Sequence, residues 1–173
     1  MNLRIKNSQI TLKVIGWIQI IGGILGFWVM SKIMLYTETV SGGILLVILV
    51  GLGLFSFSIY AGRHLLSEKE VTYGIILSII NQALQTVHFS MFGNGLSYSS
   101  GLVSLIGIEN GFKFNFAIFS SVFNMSYLLE SYDFMLKINL VAIFLILILV
   151  DIWRERKHGL ENQVLDYSSP DQL

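Results

Sequence analysis

Long apolar blocks separated by short polar links run along the chain, and each block is of membrane-spanning length. Val14 to Tyr36 is a nearly unbroken apolar run after the polar and basic opening MNLRIKNSQITLK. A helix of about 20 apolar residues crosses the hydrocarbon core. The run is therefore read as a retained first span, too long for the apolar core of a secretory signal. Trp17, Trp28 and Tyr36 fall where interfacial aromatics belong. Gly22 and Gly26 form a small-xxx-small pair suited to a close helix-helix contact, within the protein or with a second copy. The second span is Gly42 to Ala61, with Gly51, Gly53, Ser56 and Ser58 keeping parts of it slim.

The third block, Val71 to Met91, breaks the apolar rule. It carries Ser78, Asn81, Gln82, Gln85, Thr86 and His88 at the depth where polar groups are costly. At about 100° per residue they gather on one side, and Ile76, Ile80, Leu84 and Val87 gather on the other. Two readings follow: hydrogen-bonded glue between helices, or the lining of a polar cavity near the midplane.

After Met91 the period changes. Phe112, Phe114 and Phe116 alternate with Lys113, Asn115 and Ala117, and Phe123 and Met125 alternate with Val122 and Asn124. Glu109-Asn110-Gly111 supplies a hairpin turn, and Ser120-Ser121 marks a phase shift that reads as a bulge or second turn. The spacing predicts a small β meander over 96–127, with a pair of short interfacial helices as the alternative. Unpaired strand backbone is not tolerated in lipid. The meander is therefore expected at or above the membrane surface, its aromatic face against the helix ends.

The fourth span is expected over 134–153, with an exposed Asp133–Lys137 pair at its entrance. A polar tail, about 159–173, is expected to be disordered. The fold expectation is thus one integral membrane domain, an all-α bundle of four transmembrane helices with an extracytoplasmic β meander between helices three and four.

Composition supports the membrane reading: 54% of the 173 residues are hydrophobic and 13% charged, with a mean hydropathy of +0.70. Eight of the eleven Lys and Arg residues flank the amino terminus, the link between blocks two and three, and the end of block four. Positive residues mark the cytoplasmic side. Both termini are accordingly expected in the cytoplasm of a multi-pass protein of the cytoplasmic membrane.

Candidate chemistry is sparse. The absence of Cys excludes disulfides and thiolate sites. No hydrolase, phosphate-binding or dinucleotide motif occurs, no basic stripe suggests nucleic acid, and no cofactor or metal is expected. His88 faces no recognisable set of metal ligands and is read as bonded to Gln85 or to a carbonyl of the β segment. His64 is read as a headgroup-level residue without a partner. With no Asp or Glu near any midplane, ion-coupled transport is disfavoured. The functional expectation is a non-catalytic membrane subunit or interaction module, in contact with lipid and with a second copy or a protein partner. A passive pore lined by the third span is the alternative, and a lipid-modifying enzyme a distant third.

Overall fold

The computed structural model describes residues 7–37, 41–92, 94–109, 112–126 and 134–168. Four helices and four strands follow in the order α1 (Ser8–Tyr36), α2 (Gly42–Leu66), α3 (Val71–Leu84), β1 (Val87–Met91), β2 (Asn94–Glu109), β3 (Phe112–Ser126), β4 (Met135–Asn139) and α4 (Leu140–Ser168).

The four-span bundle is not what forms. Among the described residues only α1 and α2 are long and apolar enough to cross a membrane. The third apolar block is split between 14-residue α3 and strand β1, and the fourth between strand β4 and helix α4. Nor is the β region a small appendage. β1 and β4, cut from the expected spans, pair with each other and with β2, and β3 completes a four-stranded antiparallel sheet. The β2–β3 hairpin pairs from Gly95↔Ser126 to Ile108↔Phe112, and its turn residues Asn110 and Gly111 lie outside the described residues, as does Asp133.

The registers make this sheet a cup. β1 is antiparallel to the start of β2 (Phe89↔Leu96) and to β4 (His88↔Lys137), while β4 is antiparallel to the end of β2 (Leu105↔Asn139, Glu109↔Met135). The two ends of β2 therefore flank the β1–β4 pair and run in opposite senses, so β2 must bend between them. The bend falls at Gly101, whose φ is +104°, and at the register shift between Gly101 and Val103, opposite Ser120 and Ala117. Extra residues at a bulge sharpen strand twist, and glycine supplies the positive φ without steric cost.

Side-chain alternation then gives the cup two unlike faces. Val87, Phe89 and Met91 of β1, Leu136 and Ile138 of β4, and Phe112, Phe114 and Phe116 of β3 are exposed on the outside. His88 and Lys137 are turned inward and buried.

The bend sits against the middle of α1. A Cβ on Gly22, midway along that helix, would lie 2.5 Å from the Gly101 nitrogen, and one on Gly101 would lie 2.9 Å from Ile18 Cγ2. Ser121 Oγ also donates to the Gly22 carbonyl at 2.6 Å. The sheet thus lies beside the helices rather than beyond their ends, and the side-chain oxygens of Gln85 and Asn139 take up N–H groups of β2 that no neighbouring strand bonds.

Two apolar clusters result. At one end Leu12, Ile15, Leu65, Ile75, Leu149 and Ile152 join all four helices. At the other, Met30, Phe55, Tyr98 and Phe123 join α1 and α2 to the sheet.

Candidate functional site

A buried polar layer separates the two clusters. Ser58 Oγ donates to the Gln19 carbonyl at 3.0 Å, so it must accept from its other neighbours, Asn81 Nδ2 at 3.2 Å and the Ser100 hydroxyl at 3.0 Å. Tyr98 OH reaches both the Leu54 carbonyl (2.9 Å) and Asn81 Oδ1 (3.1 Å). Ser78 Oγ donates to Gln19 Oε1 at 3.2 Å. Gln19, Ser58, Ser78 and Asn81 are wholly buried. These bonds offset the desolvation of the hydroxyls and amide oxygens, while Gln19 Nε2, Gln85 Nε2 and Asn139 Nδ2 are buried without a partner.

The layer is also where α3 and α4 break. Between its pairings with β1 and β4, β2 has β3 on one side and, among the described residues, no strand on the other across residues 97–104. Side chains fill the missing ladder. Gln85 Oε1, just past the end of α3, accepts from the Ser100 N–H at 2.7 Å. Asn139 Oδ1, just before α4, accepts from the Ser104 N–H at 3.2 Å and from the first-turn N–H groups of Val141 and Ala142 at 3.2 and 3.4 Å. Asn139 is therefore both a helix cap and a strand partner. Its own N–H donates to the Thr86 carbonyl at 2.8 Å, tying the two junctions together.

Inside the cup is a cavity of about 260 Å³. Its polar lining is His88, Lys137, Ser97, Ser99, Asn115 and Ser120; Val103, Leu105, Ala117, Val122 and Met135 supply the apolar part. At the rim Lys137 Nζ meets Glu109 Oε2 at 2.6 Å, and Lys113 Nζ meets the same oxygen at 3.3 Å. The hydrogen bond to Lys137, with Lys113 beside it, holds the Glu109 carboxyl below the usual carboxylate range. Gly107 stands opposite Lys137 in the ladder, where any Cβ would collide with the Leu136 carbonyl. His88 is 3% exposed, and its Nε2 has no hydrogen-bond partner.

No protein-family model, curated protein or solved structure matches this chain. Its function is therefore read from the geometry of the polar layer and the cup.

Of the six residues in the polar stripe, Ser78, Asn81 and Gln85 enter the buried layer, and Gln82 is buried beside them. Thr86 Oγ1 donates to the Gln82 carbonyl. His88 alone of the six leaves the layer and lines the cup. Its other ring nitrogen is satisfied by the Gln85 carbonyl.

The glycine pair is divided. Gly26 lies under the Phe55 ring of α2, where a Cβ would fall 2.0 Å from Cδ1, whereas Gly22 meets the sheet and not a helix. Lys137 pairs with Glu109 across the sheet, not within a helix as the four-residue spacing to Asp133 suggested. His64 is not alone either: its Nδ1 is 2.6 Å from Glu70 Oε2, and its ring contacts Tyr60 and Tyr73.

Sequence reasoning passed over Gln19, Tyr98, Ser100 and Asn139. Gln19 had a signal, as the only amide within the first apolar block. For Tyr98 and Ser100 the signal was weaker, two members of a Ser/Tyr-rich strand whose inward and outward faces only the fold distinguishes.

Proposed function

We propose that this is a non-catalytic integral membrane protein whose sheet is embedded in the outer half of the bilayer and presents an outward-opening polar cup. The observation that carries this reading is the contrast between the two faces of the sheet: the outer one is apolar (Phe89, Leu136, Phe114), and the inner one sets His88, Lys137 and Asn115 among Val103, Leu105 and Val122. Lipid-facing sheets have this alternation, and sheets over a soluble core have the reverse.

Element lengths support it. At 1.5 Å per residue α1 and α2 measure roughly 43 and 37 Å, against a hydrocarbon core of about 30 Å. Helix α3 spans about 21 Å and β1 about 17 Å, so helix and strand together cross where neither does alone. The same holds for β4 with the apolar part of α4. Lys13 and Arg156 line one cavity at the helical end, consistent with a cytoplasmic side for that end and for both termini. The cup then opens outward, with Glu109, Lys113 and Lys137 at its rim.

The packed state of Ser78, Asn81 and Gln85 favours a binding or interaction module over a pore through the third block, since the Ser78 hydroxyl, both polar atoms of the Asn81 amide and Gln85 Oε1 are spent on α1, α2 and β2. The natural absence of Cys makes single-cysteine spin labelling direct. In bilayers, labels at Phe89, Phe114 and Leu136 should collide with oxygen dissolved in lipid, and one at Asn115 with a water-soluble nickel chelate. Nickel access at all four positions would overturn the embedded sheet.

A further inference from the structure

The cup contains one group that the packing of the fold does not explain. His88 is almost wholly buried, and its other ring nitrogen is turned to the Gln85 carbonyl. That bond fixes the ring with a bare lone pair at Nε2. Nε2 is itself buried and has no partner, and His88 is one of the residues that line the cavity. Leaving a buried acceptor unmade is expensive, and buried polar atoms in native folds are nearly always matched.

Beside it stands a donor. His88 and Lys137 are paired residues on β1 and β4, both turned inward. One proton of the Lys137 ammonium is engaged by Glu109, which Lys113 braces from β3, and an ammonium has three. A residue with an unpartnered acceptor and one with a charged donor are therefore cross-strand neighbours, both lining a cavity that also presents Val103, Val122 and Met135. The shape is complementary to a group offering one acidic hydrogen and one acceptor oxygen, attached to a short apolar tail.

We infer that the cup binds a small monocarboxylic acid, its carboxyl seated between His88 Nε2 and Lys137 Nζ and its tail against Val103 and Val122. The acid's proton passes to Nε2, and the carboxylate left behind accepts from the imidazolium and from Lys137. Net charge in the cavity is unchanged when the acid enters with its proton. The groups that face this exchange are Lys137 from β4, Glu109 from β2 and, through Glu109, Lys113 from β3. The cavity of about 260 Å³ corresponds to roughly eight or nine waters at about 30 Å³ each. Hexanoic acid, with a comparable number of heavy atoms, is the matching probe. The inference rests on the reading that the cup opens to water.

The test uses the full chain in phosphatidylcholine nanodiscs, with radiolabelled hexanoate in equilibrium dialysis against empty nanodiscs. One saturable site is expected. Hexanamide and 1-hexanol should compete at least tenfold more weakly. Lys137→Met should weaken binding at least tenfold. Ala117→Trp, which fills the cavity from β3 while leaving His88 and Lys137 in place, should abolish it. In protein labelled with ¹⁵N-histidine, hexanoate should move the His88 Nε2 resonance from the bare to the protonated range, and hexanamide should not.

Equal competition by the amide, binding that survives Ala117→Trp in a protein with unchanged circular dichroism, or uptake no greater than that of empty nanodiscs would each overturn the assignment. The spin-label collisions separate the two readings. A water-accessible cup that ignores hexanoate removes the ligand and leaves the embedded sheet, whereas nickel access at Phe89, Phe114 and Leu136 as well as at Asn115 removes the embedded sheet.

Discussion

Gln85 Oε1 accepts the Ser100 N–H at 2.7 Å, so a side chain at the end of a helix stands where a neighbouring strand would be. The bond lies in the plane where α3 gives way to β1 and where β2 bends against α1. Leucine at position 85 would keep the volume and leave that N–H buried without an acceptor. A buried orphan donor costs about 1–3 kcal/mol. The Gln85→Leu protein should lose that much unfolding free energy in detergent, with hydrogen exchange at the Ser100 amide accelerated. Unchanged exchange there would show that the backbone finds another acceptor.

The Tyr98 hydroxyl joins α2 to α3 through Leu54 and Asn81, while its ring packs edge-on to Phe55 at 5.6 Å. Tyr98→Phe keeps the ring and deletes the bridge. Polar contacts between membrane helices average about 0.6 kcal/mol and rarely exceed about 1.7. The loss of stability should fall in that range, and a double mutant with Asn81→Leu should show coupling. Strict additivity of the two would show that the hydroxyl and the amide act separately.

Gly22 and Gly53 make a matched pair of helix glycines with opposite surroundings. A Cβ at Gly22 meets the backbone of Ser100 and Gly101, and a Cβ at Gly53 meets nothing within 4 Å. Gly22→Ala should therefore destabilise by about 1–3 kcal/mol, as overpacking does. Gly53→Ala should be neutral or should stabilise by up to about 1 kcal/mol through helix propensity. Thermal melts of the two variants side by side decide the point.

Glu109 carries a pH dependence whose sign follows from its partners. Its folded pKa lies below the ordinary value of 4.5 because the carboxylate is bonded to Lys137 and Lys113. Such a group adds stability that is fully present above the unfolded pKa and is lost as pH falls through the lowered folded one. Wild type should thus be more stable than Glu109→Gln near neutral pH, and the gap should close as pH drops below about 4.5. A gap that persists in acid would mean that the glutamine perturbs packing rather than the ion pair.

The proposed orientation is tested by reporters. One fused after Ser168 and one inserted at Asn110 should report opposite sides of the membrane, with Ser168 cytoplasmic. Reporters on the same side would overturn the composite crossing of β4 with α4.

Part of the cup is legible in the order of residues alone. Thr86-Val87-His88-Phe89-Ser90-Met91 alternates polar and apolar, and so does Leu136-Lys137-Ile138-Asn139, which is the period of a strand. Both stretches also complete an apolar block of spanning length, and over so few residues block length outweighs alternation. The longer run from Phe112 to Phe116 is unambiguous, and it is a strand.

The sequence by itself determined the apolar character of the chain, the two long helices α1 and α2, the strand period beyond residue 112 and the existence of a polar stripe on α3, because these depend on local spacing alone. Only the tertiary structure decided that the third and fourth apolar blocks break midway. Those breaks depend on acceptors that Gln85 and Asn139 offer to Ser100 and Ser104, 15 and 35 residues away in the chain. A helix continues unless something better takes up its backbone and side-chain partners, and here the bent strand β2 does so. The same bend turned His88 away from the buried layer and into a cavity beside Lys137, a neighbour that no spacing along the chain encodes.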